Sequence, residues 1–186
     1  MKKLFTILSA VMLTVSLSAQ TFGVRAGMNM SNLVEEDMEY TARIGIQTGV
    51  FGIFEISDVL TFNPEILYSQ KGASMDVIGL EIELALDYLE IPLNMGYAVS
   101  EQLSINAGPY IGLLLNATLL EEDVSESMNS MDFGLNVGAS FLLNESMQIG
   151  AHYGLGLNNV PDDDNDDVKH SNIQISVGYI IGGGYY

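Results

Sequence analysis

Between Tyr88 and Leu115 hydrophobic and polar positions alternate with a period of two. Leu89, Ile91, Leu93, Met95, Tyr97 and Val99 share one parity, and Tyr88, Glu90, Pro92, Asn94, Gly96 and Ala98 share the other. After Ser100-Glu101-Gln102 the pattern resumes, with Leu103, Ile105, Ala107, Pro109, Ile111 and Leu113 set against Ser104, Asn106, Gly108, Tyr110 and Gly112. This periodicity predicts two strands with one apolar face and one polar or small face. Opposed residues in an antiparallel ladder share a face, so Val99 pairs with Leu103 and the loop has three residues.

The same pattern recurs along the chain. A first strand is predicted over about Phe22–Met30 and a second, with weaker alternation because Phe51 and Ile53 interrupt its polar face, over Ile44–Ile56. A third runs over Leu60–Gln70 after a Ser57-Asp58-Val59 turn, and Lys71–Gly79 reads as a loop. The fourth starts near Leu80 with Leu80, Ile82, Leu84 and Leu86, then changes apolar parity to Leu89. A β-bulge near Asp87-Tyr88 would do this; the alternatives are that Leu80–Asp87 stands clear of a membrane or forms a short helix. The fifth ends near Ala117. Met131–Leu143, Met147–Leu157 and Asn172–Ile181 complete eight strands, with Asn144-Glu145-Ser146 as a further short turn.

Short connections alternate with longer ones that carry most of the acids, among them Glu35, Glu36, Asp37, Glu39, Glu121, Glu122, Asp123, Glu126 and the run Asp162–Asp167. Short periplasmic turns and longer outer loops are the signature of an outer-membrane barrel, and an even strand count puts both termini on the periplasmic side. The fold expected is therefore all-β: an eight-stranded antiparallel up-and-down transmembrane β-barrel. In hydrocarbon an open sheet edge would leave unpaired backbone groups costing several kcal/mol each, so the sheet must close. Pro64, Pro92 and Pro109 each lack a donor, so bulges or missing ladder bonds are expected there.

Composition agrees. Hydrophobic residues make up 48% of the chain, yet its formal net charge is −18, and its mean hydropathy is +0.26. Apolar residues facing lipid and acids gathered in loops account for both. Residues 1–19 have the layout of a cleaved signal peptide: Lys2-Lys3, an apolar run from Leu4 to about Val15, then small residues with a cut after Ala19 or Ser18. The barrel domain is then 20–186. Loss of Lys2 and Lys3 takes the charge to −20 and leaves Arg25, Arg43, Lys71 and Lys169 as the strong cations. Nucleic-acid binding is excluded, since phosphate contacts need clustered Lys or Arg. The chain has no Cys, which removes disulfides, thiolate metal sites and a catalytic thiol.

Several stretches together resemble the PorT-like outer-membrane β-barrel family of Bacteroidota-type Gram-negative bacteria. They are GVRAGMNMSNL at Gly23–Leu33, PEILYSQKG at Pro64–Gly72, LDYLEIPLNMGY at Leu86–Tyr97, AGPYIGLLLNA at Ala107–Ala117, MDFGLNVGAS at Met131–Ser140 and HYGLGLNNV at His152–Val160. The resemblance implies an eight-stranded outer-membrane barrel and no single activity. The C-terminus departs from the usual pattern, since Gly182-Gly183-Gly184-Tyr185-Tyr186 follows the last strand.

By parity Arg25, Glu65, Glu90, Asn94, Asn106 and His152 project inward, as Glu55 does, and are expected to form a structural polar network filling the lumen. An eight-stranded barrel is only wide enough for side chains to fill it. Met and Tyr residues, Tyr40, Tyr68, Tyr97, Tyr153 and Tyr179 among them, are expected as lipid-facing bulk and interfacial girdle; Tyr88 and Tyr110 point inward. His170 falls near a loop end. The acid run Asp162–Asp167 could bind Ca²⁺ but lacks the glycine and the later bidentate Glu of an EF-hand. No GxSxG, HExxH or P-loop pattern occurs, and no catalytic residue, cofactor or metal is assigned. The expected role is non-enzymatic: structural, or surface binding through acidic outer loops. Expected partners are outer-membrane lipid, lipopolysaccharide, the barrel-assembly machinery and a protein at the outer loops. Competing readings are an accessory factor for secretion or outer-membrane assembly, a lipid A-modifying enzyme using His152, and a soluble lipocalin-like barrel with its apolar face inward.

Overall fold

The computed structural model describes residues 21–34, 40–77, 80–120, 122–162 and 168–182. The expected signal peptide, the acids at 35–39 and at Glu121, the run Asp163–Asp167 and the tail from Gly183 lie outside the described residues.

The elements are β1 (Thr21–Val34), β2 (Thr41–Ser57), β3 (Leu60–Val77), β4 (Leu80–Ala98), β5 (Leu103–Leu119), the two-residue β6 (Glu122–Asp123), β7 (Met131–Asn144), β8 (Met147–Gly156) and β9 (Lys169–Gly182). β6 only folds back on the end of β5, and a single 3-10 turn follows it at Ser125–Ser127. The other eight strands pair antiparallel with their neighbours in the chain. The ring closes where β1 pairs with β9, so the wall has no free edge. No described helix is long and apolar enough to cross a membrane; the crossing is made by strands.

The short connections share one end of the barrel. Val99 N–H donates to Leu103 O at 2.8 Å across Ser100-Glu101-Gln102, the three-residue loop required by the alternation. The other two are tighter than expected. Ser57 pairs with Leu60 and Asn144 with Met147, leaving Asp58-Val59 and Glu145-Ser146 as two-residue turns, each preceded by a register shift. At the prolines the ladder is interrupted without a shift. Pairing skips from Pro64↔Leu93 to Leu67↔Glu90 and from Pro92↔Tyr110 to Met95↔Ala107 in unchanged register. A proline removes a donor but need not add a residue.

Outside, the wall is apolar: Ile175 is 65% exposed and Ile111 39%, and Val137, Leu135 and Tyr179 are comparably open. Inside, Asn29, Ser69, Glu90, Asn106 and Gln174 are buried. This orientation overturns the lipocalin-like alternative, which needs the apolar face inward throughout.

At the long-loop end the faces exchange roles. β3 does not stop at Gln70; Lys71 to Val77 continue the strand and pair with Leu86 to Leu80, where a loop was expected. Even-numbered residues of β4 face inward along its described length, so Leu84, Leu86, Tyr88, Glu90, Pro92 and Asn94 lie on one inner face. The switch of apolar parity at Asp87-Tyr88 is therefore a switch of surroundings. Below it the outer face meets lipid and takes the apolar residues; above it the outer face meets water, as at exposed Glu83, and the apolar residues go inside. A register shift does fall there in the ladder with β5, but the extra residue is Leu115 of β5, since Asp87 pairs with Asn116 and Tyr88 with Leu114. Leu33, Ala73, Leu86, Ala117, Val160 and Val168 form the resulting inner cluster. Gly72 sits at this level with φ +132°, a conformation open to glycine and strained for other residues, and its carbonyl accepts from Ser31 Oγ at 2.8 Å.

Charging the lipid face should prevent insertion. Val137, 53% exposed near the middle of β7, replaced by Arg should destabilise the folded barrel in bilayers by about 2–4 kcal/mol. Urea titration of vesicle-reconstituted protein measures it, and an unchanged midpoint would contradict the assigned lipid face.

Candidate functional site

The polar interior is the candidate site. Alternation of β1 and β3 carries Arg25 and Glu65 into the lumen across the intervening β2. Arg25 Nη1 donates to Glu65 Oε1 at 2.6 Å and to Oε2 at 2.7 Å, with both side chains almost fully buried. The guanidinium carbon lies 5.3 Å from the centre of the Phe51 ring. Phe51 and Ile53, the residues that interrupt the polar face of β2, pack with Ile180 and Leu142 into a small apolar floor at the short-turn end. They break the pattern because they pack against one another beside a pocket that opens at this end and reaches Arg25 and Glu65. Glu55 is exposed beside the Asp58-Val59 turn and does not enter the lumen; the strand has left the closed section at that height.

A second charge centre sits higher. Lys71 Nζ lies 2.6 Å from Glu90 Oε2 and 3.3 Å from Asp132 Oδ2, all three groups buried. Two aromatic faces enclose the ammonium, Tyr110 at 4.5 Å and Tyr88 at 5.5 Å from ring centre, in the range of cation–π attraction. Gln174 Nε2 holds the other Glu90 oxygen at 3.3 Å. Glycine provides the room: a Cβ on Gly134 would meet the Tyr110 ring at 2.6 Å and its hydroxyl at 2.8 Å. Above this centre the Tyr88 hydroxyl and His170 Nε2 are 3.2 Å apart, with the rings edge to face.

The six residues singled out by parity are all buried on the inner face. Arg25 and Glu65 meet each other, and Glu90 meets Lys71. Asn106 accepts from Asn63 Nδ2 at 3.2 Å and donates to Ser140 Oγ at 2.9 Å. Asn94 lies in the ladder opposite Asn63. His152 packs in the space left by Gly138 and Gly150, close to Ser176. The two centres join other residues that the pattern reading left out. The sequence pattern puts Lys71 in a loop and His170 at a loop end and does not single out Asp132, yet all three are buried. Extending the parity of Glu65, Leu67 and Ser69 by one step gives Lys71, and that of β7 gives Asp132. Tyr40 packs inward against the upper apolar cluster, not in an outer girdle. Among the described residues no group of three or more His, Cys, Asp or Glu could hold a metal ion.

Residues 18–162 match the family described as outer membrane protein beta-barrel domain. The chain belongs to that family. No curated protein matches it. Among solved structures, the family fold is shared with Ail, the attachment invasion locus protein of Yersinia pestis, at TM-score 0.56 and 15% identity over 87% of this chain and 98% of that one. Neisserial surface protein A superposes with TM-score 0.56 and 12% identity over 85% of this chain and 96% of that one. At these identities the likeness is one of fold. With the outward apolar band, family membership makes this an integral outer-membrane β-barrel protein.

Because both members of the Arg25–Glu65 pair are buried, removing one strands the other. Glu65→Leu or Arg25→Met alone should cost about 3–5 kcal/mol, and the double substitution should recover most of that loss. Equilibrium unfolding in vesicles gives the cycle; additive single effects would show that the pair is not coupled.

Proposed function

We propose that this protein is a non-enzymatic outer-membrane barrel with a sealed lumen, which works by holding its long-loop end at the cell surface as a binding or structural element. Residues 1–19 direct export and are removed. The short-turn end and both termini of the remaining 20–186 face the periplasm.

The observation that carries this reading is the closed cross-section between the two mouths. Along β1 and β3 the inner residues Asn29, Ser31, Leu67, Ser69 and Lys71 are each no more than 1% exposed, while Gly27 below them is partly open. The Lys71–Glu90–Asp132 centre and the Arg25–Glu65 pair fill the space by ion pairing, so the six inward residues serve as structural fill. A barrel of this width leaves no continuous water path once such side chains meet. His152 is buried inside the wall, away from the acyl chains that a lipid A-modifying enzyme would have to reach. This favours a structural role for it.

Charge narrows the surface partner. Glu122, Asp123, Glu126 and Asp162 are exposed at the long-loop end, and the chain without residues 1–19 carries −20. Ail has been solved in complex with the heparin analogue sucrose octasulfate; a polyanion of that kind has the wrong sign for these loops. A basic protein surface, or divalent-cation bridging to neighbouring lipopolysaccharide, suits them. The PorT-like motifs support a second reading, an accessory to secretion or outer-membrane assembly that uses the same end of the barrel.

Two measurements test the proposal. Purified protein in planar bilayers should give no stepwise ion conductance, and an epitope inserted after Asp123 should be reached by antibody on intact cells. Conducting steps, or an epitope reached only after permeabilisation, would refute the sealed, outward-facing barrel. Loss of secreted proteins in a deletion strain, with surface binding unchanged, would favour the secretion reading.

A further inference from the structure

The long-loop end contains a cavity of about 300 Å³ that the polar lumen does not explain. Among its walls are Leu33, Met75, Leu84, Leu119, Met128 and Val160, and of the eleven lining residues only Tyr40 carries a hydroxyl and none a charge. Leu33, Ala73, Val160 and Val168 of its wall belong to the same apolar cluster as Leu86, Ala117 and Tyr88, and the Tyr88 ring faces Lys71. Its upper wall comes from the loops, where Met128 bridges Pro161 and Val160 N–H donates to Val168 O at 2.8 Å.

A folding core would be packed, because protein interiors reach crystal-like density with few voids larger than a water molecule. This space is about ten times the ~30 Å³ share of one water. Water gains little there, since a stable buried water needs two to four polar partners. The cup opens at the loop end, and an apolar molecule seated in it would remove this wall from water. The entrance adds a second filter. Glu122 pairs with Leu119, Asp162 follows Pro161 and donates its N–H to Ser127, and both acids are exposed. Of the cations near the entrance, Arg43 is held by Glu83 at 2.6 Å, and Lys169, next to Val168 and opposite Val34, is engaged by a partner of its own.

We propose that this cup is a binding site for a small apolar molecule without negative charge, an alkyl chain or ring system of roughly ten heavy atoms. The acidic rim repels carboxylate or sulfate heads, and the wall takes the hydrocarbon. The inference rests on the surface-presenting reading above and adds to it the chemical class of ligand.

Methionine makes the test direct. In nanodisc-reconstituted protein labelled with ¹³C at the methionine methyls, Met75 and Met128 report on the cup. Met28 and Met131, 57% and 48% exposed on the lipid face, report on the bilayer. On titration with 1-decanol, Met75 and Met128 should shift saturably while Met28 and Met131 follow bilayer partitioning. Ionised decanoate, compared at equal bilayer mole fraction, should bind at least about tenfold more weakly, as charge repulsion at the rim requires. Ala73→Leu and Leu119→Phe fill the cup from the two strands flanking Leu84; each should lower decanol affinity by about tenfold or more while the unheated barrel still migrates as a folded species. Met75 and Met128 tracking Met28 and Met131, or unaltered affinity in both filled variants, would overturn the site. Equal affinity for decanoate would overturn the rim argument. The epitope measurement reads surface exposure independently, so a dry, unresponsive cup in an outward-facing barrel would fail this inference alone.

Discussion

Every backbone N–H and C=O that enters hydrocarbon must find a partner within the chain. That constraint is met by a ring of antiparallel ladders in which β1 returns to β9. Closure with eight strands fixes the bore at a width that side chains span. The lumen is then one that side chains largely fill, and its wall bears every second residue of each strand. Those residues are polar because their neighbours in sequence had to be apolar to face lipid. The ion pairs Arg25–Glu65 and Lys71–Glu90 follow from this, since a charge committed to so confined a space requires a counter-charge.

The second organising fact is where the membrane ends. The wall strands on the β3–β4 side continue past the hydrocarbon, and with no change of inner parity on β4 the apolar residues pass from outside to inside at Asp87-Tyr88. One molecule thus carries two solvation regimes stacked along its axis: an inverted barrel below and an ordinary water-facing barrel above. The boundary is marked inside by Tyr88, which offers its ring to Lys71 below and its hydroxyl to His170 above. Polar charge chemistry lies on one side of it, and a hydrophobic cup on the other.

The pattern reading was strongest where a strand meets lipid on one face. For β7, β8 and β9 the alternation runs nearly end to end, interrupted only at Leu142 and Ile180, and their observed spans match the expected ones to within a few residues. It was weakest where the surroundings changed. Lys71 looked like the start of a loop because Gly72 and polar residues followed, yet the strand ran on to Val77. Leu80 to Leu86 looked like a break in register because apolar parity reversed. Phe51 and Ile53 looked like defects in β2 and are the floor of the lumen. In each case the residues lie where the outer face no longer meets lipid on its own terms, so the local rule that holds in lipid does not hold for them.

Alternation, the spacing of turns and the scarcity of cations determined by themselves that this chain is a closed transmembrane sheet, and which residues face its interior. The reason is that period and hydrophobicity are local quantities, and a strand in lipid has only one way to satisfy them. Which inward residues meet was decided by tertiary structure alone. Arg25 and Glu65, or Lys71, Glu90 and Asp132, come from strands up to 61 positions apart. Their contact depends on the stagger of the ladders and the curvature of the closed wall. The cup exists for the same reason: its lining residues are scattered from Leu33 to Val168 and share nothing in sequence except the height at which the barrel leaves the membrane.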